Sequence, residues 1–171
     1  MGVDSGTLRE LIDRELADLP NERIVRHIRA LLVEPVPELR DWDYGEPGQQ
    51  YPCWIVFRHT ASNTGIAFCE QGFGPRCPWG LLRIGGEGKP RSIGQDCGWY
   101  PNFLETYFNS FAVCELPIWR VFAKDESGQR TPMSNEGTWD ETWAQVLAFR
   151  QRNPDSRYDC ASDVSVRYLY K

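Results

Sequence analysis

Cys97 is the residue whose type and setting best suit nucleophilic chemistry. It lies in the glycine-containing run Gly94–Trp99, where Gly98 follows it directly. A thiol becomes a strong nucleophile when a histidine within hydrogen-bonding distance accepts its proton, and His59, at the end of a predicted strand, is the candidate base. A thiol in a tight turn is usually structural and inert. A small Cys-dependent enzyme with a divergent site is therefore an alternative interpretation and not the first.

The sequence lacks the spacings that metal and phosphate sites require. Cys69 and Cys77 are eight positions apart across a Gly/Pro loop, and no C-x-x-C, H-x-x-x-H or H-E-x-x-H occurs. A structural zinc would need two further ligands. Gly88-Lys89 resembles the end of a phosphate-binding loop, but Pro90 stands where that loop needs Ser or Thr. We therefore expect no metal, no other cofactor and no catalytic residue.

Two glycine- and proline-containing loops carry large aromatic side chains. They run over 71–80 and 98–103. Rigid loops that present Trp, Tyr and Arg are typical of protein-binding hot spots. The rings expected to face outward and contact a partner are Phe73, Trp79, Trp99 and Tyr100. An equally weighted alternative is that these rings close the ends of a sheet as an extension of the core.

An acidic cluster precedes the aromatic loops in the chain. Three of its members are the candidate partner-binding residues Asp41, Asp43 and Glu46, with Glu38 before them and Arg40 among them. If 38–44 is an edge strand, these charges also protect that edge from aggregation. The net charge of −5 argues against nucleic acid as the partner. A basic protein partner fits better, because opposite charges steer association, although mild acidity also serves solubility alone.

Composition predicts a folded protein that works in the cytoplasm. Hydrophobic residues make up 41% of the 171 residues and aromatic residues 13%, which is enough for a proper core. No stretch resembles a signal peptide or approaches the roughly 20 apolar residues that cross a bilayer, so no membrane association is expected. The six cysteines are then expected to be reduced. The oligomeric state stays open.

Two amphipathic helices are predicted at the start of the chain. One covers 7–19, where Thr7 and Glu10 have capping-box spacing, with an earlier start at Asp4 or Ser5 as the alternative. Asn21 caps a second helix, which Pro35 and Pro37 are expected to end. The short link predicts an antiparallel helical hairpin over 5–33. This hairpin is expected to pack on a sheet domain over 38–171, so that 1–171 forms a single domain.

Alternation and turn signals predict a sheet with further helices in the remainder. The predicted strands are 38–44, 53–59, 65–70 and 79–84, with 91–94 pairing back, then 117–123 and 164–170. A helix is predicted to start at Pro101 or Asn102, and another at the capping box of Thr138 and Glu141. Between them, 125–137 is expected to be a mobile polar loop. The order ααββββαβαβ predicts a two-layer α+β fold, an antiparallel or mixed sheet of about five to six strands covered by helices.

The chain resembles the small immunity proteins of bacterial polymorphic toxin systems. The resemblance lies in Tyr51–Phe111, which includes Pro52–Phe57, the loop Gly72–Gly80 and Gly94–Trp99. Such proteins are compact, often acidic and aromatic-rich domains without catalytic motifs. The resemblance implies a stoichiometric protein inhibitor that neutralises a cognate toxin in bacterial competition, and it carries over no site residues. A structural or regulatory subunit of a larger assembly is the remaining alternative.

Overall fold

The computed structural model describes residues 2–84, 92–94 and 98–162. Contacts between Cα atoms group the chain into two compact units, Met1–Phe111 and Ala112–Lys171. Both units combine helices with a sheet, which confirms the predicted α+β class. The expectation of a single domain over 1–171 stays a prediction. No helix in the described part of the chain is long and apolar enough to cross a bilayer.

Three α-helices lie in the described part of the first unit, and each begins at a side-chain cap. Helix α1 (Ser5–Ala17) starts at Asp4, helix α2 (Glu22–Leu31) at Asn21, and helix α3 (Phe103–Phe108) at Asn102. In each case the side-chain oxygen of the cap accepts a backbone N–H of the first turn, which would otherwise lack an acceptor. The predicted cap of α2 is thereby confirmed. Helix α3 starts at the second of its two predicted positions, and α1 takes the earlier of its predicted starts.

The first unit contains a six-stranded mixed sheet in the order β5-β1-β2-β3-β4-β6. Its strands are β1 (Leu32–Trp42), β2 (Gln50–His59), β3 (Thr64–Phe68), β4 (Trp79–Arg83), β5 (Ser92–Ile93) and β6 (Trp99–Tyr100). Neighbouring strands are antiparallel except β5, which runs parallel to β1. The prediction that 91–94 pairs back with 79–84 is therefore wrong, because the long-range partner β1 takes this segment instead.

Strand β1 begins well before the predicted residue 38. Helix α2 ends at Leu31, and Pro35 and Pro37, which were expected to end the helix, lie inside β1. Proline cannot donate to a strand ladder, so it is tolerated where one side of a strand is unpaired. Among the described residues, β5 pairs with β1 only at Asp41 and Trp42. At Pro35 and Pro37, the edge of β1 that faces away from β2 therefore has no strand partner among these residues.

One face of this sheet is covered by the helices. Phe57 packs against the rings of Phe103 and Tyr107 in α3, and Trp79 also packs against Phe103. The Tyr107 hydroxyl lies 2.8 Å from Nδ1 of His27 in α2, which ties the two helices together on the same side. An irregularity in the ladder between Ile55 and Phe57 places these two residues on opposite faces.

The other face is concave and has its own apolar core, the inner cluster of Cys53, Ile55, Ala67, Cys69, Leu82 and Ile93. Trp42 rises from β1 and Trp99 from β6, which in a flat sheet lie four strand spacings apart, about 19 Å. Both rings nevertheless contact Phe73, at centroid distances of 5.3 and 5.5 Å. The sheet therefore curls, and its two sides approach each other over the inner cluster.

In its described part, the second unit has a three-stranded antiparallel sheet in the order β8-β7-β9 and one α-helix. Its elements are β7 (Trp119–Lys124), β8 (Arg130–Pro132), helix α4 (Trp139–Arg152) and β9 (Arg157–Ser162). The capping box of Thr138 and Glu141 is confirmed at the start of α4. The expected loop over 125–137 instead contains β8, which pairs with β7. The predicted strand 164–170 lies outside the described residues.

Candidate protein-binding site

Five aromatic side chains meet where the loops of the first unit border the concave face. The ring of Trp42 lies 5.3 Å from Tyr44, 5.8 Å from Tyr51 and 5.3 Å from Phe73, measured between centroids. Phe73 in turn lies 5.5 Å from Trp99. We call this group the aromatic rim. Edge-to-face and tilted contacts of this kind add to the stability of each ring's position.

The loop between β1 and β2 is held closed by its own hydrogen bonds. The backbone N–H of Trp42 donates to the Gln49 carbonyl at 2.9 Å. The Gln49 side chain accepts from the Glu46 N–H at 3.1 Å and donates to the Tyr51 hydroxyl at 2.7 Å. Because one side chain bonds to both the loop and the rim, the position of Tyr51 is tied to the loop that carries Tyr44.

Two glycines allow the backbone to approach the rim closely. Gly72 has φ of +78°, and a Cβ atom there would lie 3.1 Å from the Trp42 ring. Gly94 has φ of +136°, and a Cβ atom there would lie 2.9 Å from Cβ of Asp43 and 3.1 Å from the Tyr44 ring. Residues with side chains rarely adopt such φ values. Both positions therefore require glycine for steric and conformational reasons together.

The rim combines rigid support with large exposed area. Tyr44 is 59% exposed and Phe73 is 44% exposed, whereas Trp42, Tyr51 and Trp99 are half-buried beneath them. Exposed aromatic rings that are already ordered lose little conformational entropy when a partner covers them. This is the property expected of an anchor in a protein–protein interface.

The predicted acidic residues flank the rim; we call Asp41, Asp43 and Glu46 the acidic flank. Asp43 and Glu46 are exposed, and the backbone N–H of Asp43 donates to the Ile93 carbonyl at 3.0 Å. The Asp41 carboxylate accepts a hydrogen bond from the Gln50 side chain at 2.7 Å. Residues 41–46 thus place three carboxylates beside Tyr44 on one short segment.

The structure separates the predicted aromatic residues into two groups. Phe73 and Trp99 lie in the rim, as expected for exposed or partly exposed rings. Trp79 is 3% exposed and packs against Phe68 on the helix-covered face, so the expectation that it faces outward is wrong. Tyr100 lies opposite Trp79 in the ladder and is half-buried. Since successive strand residues point to opposite faces, Tyr100 cannot accompany Trp99.

Sequence reasoning missed Trp42, Tyr44 and Tyr51 as members of the site. The signal was present, because Trp42 and Tyr44 alternate with the acidic residues Asp41 and Asp43. Alternation places the two aromatic residues on one face of an extended segment and the two acidic residues on the other, yet it does not identify the ring that the aromatic pair meets. Phe73 comes from a separate loop, and only the curled sheet brings it to Trp42.

The alternative nucleophilic site of Cys97 and His59 stays a prediction. Cys97 lies outside the described residues. His59 is buried at the end of β2, and its Nδ1 lies 2.7 Å from the Ser62 hydroxyl in the adjoining turn. Within residues 2–84, 92–94 and 98–162, no group of three or more His, Cys, Asp or Glu side chains is arranged to hold a metal ion.

Comparisons with known proteins identify no relative. No protein-family model matches the chain, no curated protein matches it, and no solved structure matches its fold. The aromatic rim and the acidic flank are therefore the features of the molecule that bear on its function.

Proposed function

We propose that this protein is an immunity protein, which binds a cognate bacterial toxin in a one-to-one complex and so neutralises it. The observation that carries the proposal is the aromatic rim, whose exposed rings Tyr44 and Phe73 are held in place by Trp42 beside the acidic flank. Aromatic anchors surrounded by charged residues are typical of tight interfaces.

The acidic flank indicates the chemistry of the partner surface. A toxin that acts on nucleic acid needs a basic surface to hold phosphates. Carboxylates at Asp43 and Glu46 complement such a surface and accelerate encounter with it. The rings at Tyr44 and Phe73 then supply apolar area that is removed from water in the complex. Charge selects the partner in this arrangement, and the rim contributes most of the affinity.

The first experiment isolates the partner and tests what it does. The tagged chain is used to capture proteins from its native cells, and the captured protein is identified by mass spectrometry and then expressed under an inducible promoter. We expect a partner with a basic domain that arrests bacterial growth when expressed alone, and growth restored when this protein is co-expressed. A captured partner that does not harm cells contradicts the proposal.

Variants at the rim test whether it is the interface. We expect Phe73→Ala and Tyr44→Ala each to weaken the complex at least tenfold by calorimetric titration, because each removes an anchor ring. Leu147→Ala is the matched control, since Leu147 is 46% exposed, similar to Phe73, and lies in the second unit. Equal affinity in all three variants would remove the rim from the proposal.

The same assays distinguish the alternative of a subunit in a larger assembly. A structural or regulatory subunit uses an aromatic surface equally well, but its partner is not toxic. A stable complex without growth arrest by the partner alone therefore supports the subunit alternative. Loss of this complex in Phe73→Ala would still assign the interface to the rim.

A further inference from the structure

Two cysteines face each other beneath the rim, one in β2 and the other at the position that directly follows β3. The ladder of β2 and β3 pairs Trp54 with Phe68. In an antiparallel pair the next position along one strand faces the preceding position of the other, so Cys53 faces Cys69 directly. Both side chains belong to the inner cluster, and both are 0% exposed.

The backbone hydrogen bonds show which kind of pair this is. The N–H of Cys69 donates to the carbonyl of Pro78, on the β4 side, at 2.9 Å. In an antiparallel strand the N–H and C=O of one residue point to the same side, so the backbone of Cys69 points away from β2. Cys53 and Cys69 are therefore a non-hydrogen-bonded pair. Their Cα atoms are expected to be about 4.5 Å apart, inside the range of disulfides, about 4.4 to 6.8 Å.

The two sulfur atoms are in contact already in the reduced protein. The Cys53 thiol donates a hydrogen bond to the Cys69 sulfur, and this bond lowers the pKa of Cys69 against the opposing effect of burial. Neither cysteine is part of a disulfide. Cys69 thus forms a thiolate more readily than an ordinary cysteine does, and Cys53 is the thiol that is placed to react with it.

We propose that Cys53 and Cys69 form a reversible dithiol–disulfide pair that a small peroxide oxidises. The Cys69 thiolate attacks one peroxide oxygen, the O–O bond breaks, and Cys69 becomes a sulfenic acid while the leaving oxygen takes a proton to give water. The Cys53 sulfur then attacks the sulfenic sulfur, the S–O bond breaks, and the second oxygen leaves as water with the Cys53 proton. Two thiols and one hydrogen peroxide give one disulfide and two waters.

Burial selects the oxidant in this proposal. Because neither sulfur is exposed, a small uncharged peroxide reaches the pair more readily than a bulky disulfide such as oxidised glutathione. Cys69 directly precedes the loop that carries Phe73, and Cys53 lies two residues after Tyr51. A bond between them fastens the two strands that support both rings. The proposal does not depend on the identity of any partner.

The sequence permits a direct test on the wild-type protein. Trypsin cleaves after Arg40, Arg58 and Arg76, which leaves Cys53 alone in peptide 41–58 and Cys69 alone in peptide 59–76. The folded protein is treated with hydrogen peroxide, unfolded in excess alkylating agent, digested and analysed by mass spectrometry. We expect these two peptides to be linked, with the loss of two hydrogen atoms, and to separate again after treatment with dithiothreitol.

Cys77 is the internal standard for oxidation by peroxide. It is half-buried, and it lies in a separate tryptic peptide because it directly follows the cleavage site at Arg76. The Cys77→Ser variant is expected to form the same link, and Cys53→Ser is expected to form none. Recovery of both cysteines in alkylated form, under conditions that oxidise Cys77, overturns the proposal. A sulfinic acid at Cys69 without the link overturns it as well, and so does a disulfide between either cysteine and any other.

Discussion

Glu15 in α1 caps a helix that begins 88 positions later in the chain. Its carboxylate accepts the backbone N–H of Phe103 at 3.1 Å and that of Leu104 at 2.8 Å. These donors belong to the first turn of α3 and have no partner within that helix. Asn102 satisfies a third N–H, that of Glu105. The short helix α3 is thus stabilised at its start by a side chain from another element.

Glu15 also predicts a pH dependence of stability. Burial raises the pKa of Glu15 from its ordinary value of 4.5, against the hydrogen bonds from Leu104 and Phe103. A carboxyl whose pKa is raised by folding contributes stability that is fully present below the unfolded pKa and is lost as pH rises through the folded pKa. We expect wild type to gain stability relative to Glu15→Gln between pH 7 and pH 4, measured by urea unfolding. A constant difference between the two proteins would contradict the raised pKa. Glu15→Ala, which removes the acceptor, is expected to cost about 1 kcal/mol at pH 7 and more at pH 4.

Glu38 is predicted to stabilise the fold. It belongs to the acidic cluster of the sequence, but its carboxylate is engaged within the protein. Its carboxylate pairs with Arg40 and with Arg58, each at 3.1 Å, and the Arg40 side chain is buried. Arg40 also donates to the Arg83 carbonyl at 3.2 Å. Glu38→Gln leaves a buried guanidinium without its counter-charge, which is expected to cost about 3 kcal/mol of unfolding free energy.

The matched control for this change is Arg58→Gln. The Arg58 side chain is 38% exposed, so solvent screens its interaction with Glu38. We expect a cost of about 1 kcal/mol or less. The measurement is the free energy of unfolding in urea. Equal losses in Glu38→Gln and Arg58→Gln would show that the ion pair of Glu38 with the buried Arg40 is not the main contribution to stability.

Alanine variants of Trp79 and Phe73 are expected to change different properties, since the first lowers stability and the second weakens binding. Trp79→Ala removes a buried ring that contacts Phe68 and Phe103, and we expect a loss of about 3 to 5 kcal/mol in unfolding free energy. Phe73→Ala removes a ring at the surface and is expected to cost about 1 kcal/mol or less. Chemical denaturation of both variants is the measurement. A larger loss for Phe73→Ala would mean that this ring holds the fold together and does not serve chiefly as an anchor.

Charge reversal in the acidic flank is expected to slow association with the partner. We expect Asp43→Lys with Glu46→Lys to lower the association rate about tenfold at low salt, with the difference shrinking as salt is raised. Stopped-flow kinetics at two salt concentrations are the measurement. Glu126→Lys with Asp155→Lys is the control, because it reverses the same number of exposed acidic residues in the second unit. An equal effect of both double variants would show that net charge matters and position does not.

Much of the local structure follows from the sequence itself. The caps at Asn21, Asn102 and Thr138 were identifiable, because a cap satisfies N–H groups only two or three residues away. Strands β2, β3 and β4 were identifiable from short runs of β-branched and aromatic residues and from the turns between them. In these cases the determining interactions lie within a few residues along the chain.

The tertiary structure alone decided which distant residues meet. The parallel pairing of β5 with β1, the contact of Phe73 with Trp42, and the cap that Glu15 provides to α3 join residues far apart in the chain. Trp79 and Trp99 are both tryptophans in strands beside glycine, yet one lies in the helix-covered core and the other in the rim. The face on which a ring lies depends on strand pairing and sheet curvature. Those are set by the packing of the whole first unit and not by the residues next to each ring.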